Sequence, residues 1–122
     1  MLTSKMLSQN ERLLKCEVED SAHVKIGDSG DHVKRIQQAL LRIDNARIDD
    51  GELLTSMYGN TTATAVLNYK KKRNIVNYAY QAQPDNIVGK MTIKRLDEDI
   101  LPFESTVSDQ YNAVVLRPSI DK

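Results

Sequence analysis

The chain has 122 residues, enough for one domain with a modest core. Apolar residues make up 40% and charged residues 28%, and the 17 basic and 17 acidic side chains give a formal net charge of zero. That balance argues against nucleic acid as a partner, because phosphate backbones are bound by clustered excess Lys and Arg. With five Tyr, one Phe and no Trp, the chain is too poor in aromatics for a broad sugar-stacking platform.

In chain order, residues 5–15 place Met6, Leu7, Leu13 and Leu14 at helical spacing, which predicts a short amphipathic helix. The turn-rich stretch Gly27-Asp28-Ser29-Gly30 follows. Ser29 is placed to cap a helix, Asp31 sits in its first turn, and Val33, Ile36 and Leu40 form one apolar stripe, so a helix is expected from Gly30 to Ile43. Residues 44–59 read as a loop with turns at Asp49-Asp50-Gly51 and Tyr58-Gly59. A second helix, capped by Asn60 or Thr61 and faced by Ala65, Val66 and Tyr69, ends near Arg73. Its basic end, Lys70 to Arg73, reads as a solvated helix terminus, where cations suit the macrodipole. Residues 74–86 form a loop in which Ile75 to Tyr80 has the character of a short strand. A third helix, with Ile93, Leu96 and Ile100 on one face, runs from Lys90 to Ile100 and is stopped by Pro102. Phe103 to Lys122 reads as an irregular tail or linker, with a short strand at Asn112 to Leu116 as one option.

These segments divide the chain into an N-terminal extension (1–22), a folded domain (23–101) and a C-terminal tail (102–122). Cys16 stands alone, so no internal disulfide forms, and no apolar run approaches the roughly 20 residues that span a bilayer. The first 20 residues lack the apolar core and cleavage site of a secretory signal. The expectation is production in the cytoplasm, no membrane partner, and export by another route. Cys16, His23 and His32 follow no nucleophile or metal-ligand motif, and the adjacent acids Asp49-Asp50 and Asp97-Glu98-Asp99 read as solvated groups. No cofactor, no metal and no enzymatic activity is expected.

Three blocks carry a more specific signal. They are Gly27-x-x-Gly30-x-x-Val33-x-x-Ile36-Gln37-x-x-Leu40, Tyr58-Gly59-x-x-Thr62-x-x-Ala65-Val66-x-x-Tyr69, and Ile87-Val88-Gly89-x-x-Thr92-x-x-x-Leu96. In this order they resemble the signature of the peptidoglycan-binding domain family over residues 26–97. The chain departs from that pattern at Lys70, where the family has Gln. It also departs at Glu52 to Met57, inserted between Asp50-Gly51 and Tyr58-Gly59, and at Asp85-Asn86 in a longer third loop. The resemblance implies an all-α, compact three-helix bundle, here with an extra N-terminal helix. It implies non-catalytic binding of peptidoglycan or a muropeptide in the periplasm or at the cell wall.

Loops and helix N-termini would recognise the carboxylates of the stem peptide, with Asp28, Asp31, Tyr58, Asn60, Asn86 and Lys90 as candidates and Arg73 as a carboxylate partner. The competing expectation is a docking or delivery module of an antibacterial effector, exported by a contractile apparatus such as type VI secretion. Its partner would then be a fused or separate toxin or secretion component. The missing signal, the segments at both ends and the altered loops favour that alternative.

Overall fold

The structure is a computed structural model that describes the backbone of residues 1–116 and the side chains of residues 1–104. The described residues are helical, with no named strand. In chain order the helices are α1 (Lys5–Ser8), α2 (Glu11–Cys16), α3 (Asp31–Asp44), α4 (Asp50–Thr55), α5 (Asn60–Arg73) and α6 (Lys90–Leu116), and a 3-10 turn spans Asp20–Ala22. Helices α3, α5 and α6 are the expected bundle, and α1 and α2 pack onto it. None of these helices is long and apolar enough to cross a membrane.

The bundle forms where its apolar stripes predict. Val33, Ile36 and Leu40 of α3, Val66 and Tyr69 of α5, and Ile93, Leu96 and Ile100 of α6 are all fully buried or nearly so, in one cluster. Leu7, Leu13 and Cys16 join that same cluster with no exposed surface, so the N-terminal helices belong to the core rather than to its periphery. The Cys16 thiol donates to the Val88 carbonyl at 3.4 Å. Burial pushes its pKa up to about 12, against a smaller lowering effect of Arg12, so it stays neutral at ordinary pH.

Turn chemistry sets the helix boundaries. Gly30 at the start of α3 has φ 128°, a conformation that suits glycine and that Ser29, the expected cap, does not supply. Helices α3, α4 and α5 end on Asn45, Ser56 and Asn74, all left-handed at φ near 50°. The one helix expected over residues 5–15 is two, because Ser4 and Asn10 each cap a new start. The Ser4 hydroxyl accepts from Leu7 N–H, and the Asn10 side chain accepts from Leu13 N–H, both at 3.1 Å.

Four other expectations are corrected. Residues 44–59 contain α4, a helix with no buried residue and hence no apolar stripe to announce it. Ile75 to Tyr80 forms no strand; Ile75 and Val76 turn inward and a tight turn follows. Pro102 does not stop the last helix, which continues to Leu116. Proline there removes one helical N–H and crowds the carbonyl of Glu98. On its far side the Glu104 carboxylate accepts from Lys5 and Met6 N–H at 3.0 and 2.8 Å, which ties the continuation to α1. The tail is therefore helical from Phe103 to Leu116, not irregular, and the segment from Asn112 to Leu116 is helix, not strand; residues 117–122 lie outside the described residues.

Two backbone bridges bring the entrances of the bundle helices together. Val24 and Val88 exchange both N–H···O bonds at 2.9 and 2.8 Å, and Ser29 pairs with Met57 beside the Tyr58 N–H to Asp28 carbonyl bond at 2.8 Å. The loops leading into α3, α5 and α6 thus meet at one end of the molecule.

Leu40 has no exposed surface, so Leu40→Ala should destabilise the fold by about 2–5 kcal/mol in urea unfolding. A loss below about 1 kcal/mol would place Leu40 outside the packed core.

Candidate functional site

At the shared end of the bundle, a cleft of about 130 Å³ opens over the first turn of α6. Its floor is Gly89, Lys90, Met91 and Thr92. The N–H groups of a helix's first turn have no intrahelical acceptor, and Gly89, just ahead of α6, has no side chain to cap them. The Val24–Val88 bridge places His23 directly over Gly89. A Cβ at position 89 would lie 3.2 Å from the His23 ring, tighter than ordinary contact, so a side chain there would require the ring to shift by a few tenths of an ångström.

One wall is the 3-10 turn, held by Arg12, which donates to the carbonyls of Ala22 and His23 at 3.2 and 2.9 Å. Asp20 on that wall lies 3.1 Å from Lys90 Nζ across the mouth of the cleft, and 3.6 Å from His23 Nε2. That ring nitrogen is buried and has no hydrogen-bond partner among the described residues.

The opposite wall is the loop after α5, built around Lys70. The Lys70 side chain is 6% exposed; its ammonium donates to Asp85 Oδ1 at 2.6 Å and to the Ile87 carbonyl at 2.9 Å. Asp85 also accepts from Ile87 N–H at 3.1 Å and from the Gln81 amide, and Gln81 in turn accepts from Asn77 N–H at 3.2 Å. Partial burial alone would raise the Asp85 carboxyl; the bonds from Lys70, Ile87 and Gln81 outweigh it and hold the pKa below the usual carboxylate value. A buried ammonium needs such a partner. Lys70 is therefore not the solvated residue that its place in a basic run suggested.

The seven residues singled out from sequence do not converge. Lys90 lines the cleft, and Asn86 sits beside its wall, its carbonyl accepting the Tyr58 hydroxyl. Tyr58 is fully buried and has no surface to offer a ligand. Arg73 lies 4.0 Å from the Tyr69 ring centroid and donates to Asp44 at 2.8 Å and Asp99 at 3.0 Å, so its guanidinium is spent on the fold. Asp28 closes its own turn by accepting from Lys25 N–H, and Asp31 accepts from Arg35 and Asn10. Asn60 is exposed at the start of α5.

That helix start already holds an anion. Glu52, projected by α4, accepts from the N–H groups of Gly59, Thr61 and Thr62 at 3.1, 3.0 and 2.8 Å and from the Thr61 hydroxyl at 2.7 Å. The inserted segment thus fills one of the N-termini expected to meet ligand.

The acids Asp97 and Asp99 are not merely solvated either. Asp97 accepts from Thr3 and Ser4 N–H at 2.9 and 2.8 Å, and Asp99 from the Tyr69 hydroxyl at 2.6 Å. Two other hollows are larger. The one beside Met1 and Glu17, about 350 Å³, is built on the committed Asp97, and the one between Asn45 and Asn68, about 280 Å³, on Asp44, which pairs with Arg73 and Lys72.

Sequence reasoning missed Asp20, His23, Lys70, Gln81 and Asp85 as cleft residues. A signal existed for Lys70: it falls four residues after Val66, on the buried side of α5, where an unpaired lysine would be costly. Asp20 and His23 carried none, because the bridge from Val24 to Val88 joins residues 64 positions apart and leaves no periodic trace. Comparison of the chain with protein-family models, with curated proteins and with solved structures finds no match in any of the three.

The Glu52 carboxylate has a pH signature. Burial opposes its ionisation, but the hydrogen bonds from Thr61 and Thr62 outweigh burial and lower its pKa from 4.5 to about 2. A depressed folded-state pKa stabilises above the unfolded value, and that stabilisation disappears as pH falls from about 4.5 towards 2. Glu52→Gln should therefore cost about 1–2 kcal/mol near pH 7. The gap between variant and parent should close across that acid range in a pH series of denaturation curves. A gap that is constant with pH would contradict the assignment.

Proposed function

We propose that this chain is a non-catalytic module that binds peptidoglycan and holds an attached or partner protein at the bacterial cell wall. The reading joins the three glycine-led sequence blocks to one geometric observation: the entrance loops of α3, α5 and α6 are bridged to one another, and the third of them, from Ile87 to Thr92, lines a small charged cleft at the start of α6. A helix start led by Gly89, which has no side chain to cap it, and flanked by Lys90 suits a peptide carboxylate. The volume is well below the roughly 300–1,000 Å³ typical of drug-sized ligand sites, so the cleft takes one small group of a stem peptide while the glycan lies outside. Weak single-site binding is useful on a repeating polymer, where many copies of the ligand raise the effective affinity. The protein would act in the periplasm or at the wall.

A second reading, a docking or delivery module of an exported antibacterial effector, is favoured by one feature. Helix α4, the segment inserted between the first two blocks, holds Leu54 85% exposed at the surface.

Sedimentation with purified sacculi separates the two. The module should pellet with sacculi and be released by soluble muropeptides. Lys90→Glu should weaken pelleting about tenfold or more, as expected for loss of a charged hydrogen bond, while Asn68→Asp on the far hollow leaves it unchanged. A folded protein that stays in the supernatant would remove the wall-binding reading and leave the docking one.

A further inference from the structure

The cleft carries both signs of charge, and their arrangement narrows the ligand; this step rests on the wall-binding reading above. On the inner wall, Lys70 and Asp85 satisfy each other, with Gln81 and Ile87 completing the carboxylate's partners. At the mouth, Lys90 and Asp20 face each other at 3.1 Å with their side chains 43% and 82% exposed. An exposed pair of this kind contributes little to stability and is readily exchanged for other partners.

A ligand bearing only a carboxylate would take Lys90 and leave Asp20 beside a second anion. A ligand bearing only an ammonium would take Asp20 and leave Lys90 unpaired beside it. A ligand with both charges on one carbon replaces both halves of the pair. Its carboxylate meets Lys90 and the first-turn N–H groups of α6. Its ammonium meets Asp20, the same carboxylate that lies 3.6 Å from His23 Nε2, which has no hydrogen-bond partner among the described residues. A volume of about 130 Å³ fits such a head group.

We infer that the cleft receives a zwitterionic amino-acid end. In a stem peptide, that group is the free ammonium-and-carboxylate centre of a diamino-dicarboxylic acid residue such as meso-diaminopimelate. A lysine side chain in its place lacks the carboxylate, and amidation of that carboxylate removes the negative half. The site then discriminates among wall chemistries that share the same glycan.

The test is calorimetric titration of the full chain with three stem peptides of equal length. One carries meso-diaminopimelate, one the same residue with its side-chain carboxyl amidated, and one lysine. The first should bind about tenfold or more tightly than either other, the loss expected when one charged hydrogen bond is removed. Lys90→Gln, at a side chain 43% exposed, should erase that preference without altering the unfolding midpoint, whereas Asp20→Asn, at a side chain 82% exposed, should weaken all three peptides alike, because each carries the ammonium. If the protein pellets with sacculi but binds the three peptides equally, or binds none of them, the zwitterion assignment is overturned and wall binding stands. If it neither pellets nor binds any peptide, both are overturned.

Discussion

The N–H groups that open a helix have no carbonyl one turn behind them, and something else must accept their hydrogen bonds. In this molecule much of the tertiary structure meets that demand with acidic side chains delivered from a distance. Glu52 reaches across from α4 to fill the start of α5. Asp97 and Glu104, seven residues apart on α6, accept the N–H groups of Thr3, Ser4, Lys5 and Met6. A four-residue helix such as α1 has no stability of its own, because nucleation costs more than one turn returns. Its existence depends on those two carboxylates and on the burial of Leu7.

Against that background the start of α6 is distinctive for what surrounds it. Gly89 offers no cap, His23 covers it from above, and two lysines with two aspartates stand around the opening. The walls are fixed by different means: one by the Lys70–Asp85 pair, the other by Arg12 and the Val24–Val88 bridge. The cleft is therefore held in shape before any ligand arrives, and a preformed site avoids the entropy of ordering loops on binding.

Much of the bundle was legible in the sequence because apolar stripes and turn residues are local signals. Val33, Ile36 and Leu40 on α3, and Val66 and Tyr69 on α5, point inward as their spacing predicts, and the helix limits fell within a residue or so of Asp31–Asp44 and Asn60–Arg73. What escaped were features set by partners far away in sequence. Helix α4 has no fully buried residue and carries no stripe; Leu53 packs partly against the core, and Glu52 reaches the start of α5. The passage of α6 through Pro102 goes with Glu104 engaging α1, nearly a hundred residues earlier. The site was less legible than the fold for the same reason. Tyr58 and Arg73 have residue types that suit ligand binding, yet one is sealed in the core and the other is committed to Asp44 and Asp99. Lys70, set aside as part of a solvated run, is the centre of the cleft wall.

On the proposed wall-binding reading, it is the start of α6, and not the start of α5, that would meet the wall. The most direct measurement is an amide chemical-shift map of the isotopically labelled protein during titration with soluble muropeptides. The account predicts that the largest shifts fall on Lys90, Met91 and Thr92 and on Asp20 to His23, with Gly59 to Thr62 unmoved behind Glu52. Shifts centred on Gly59 to Thr62, or on the hollow between Asn45 and Asn68, would contradict it.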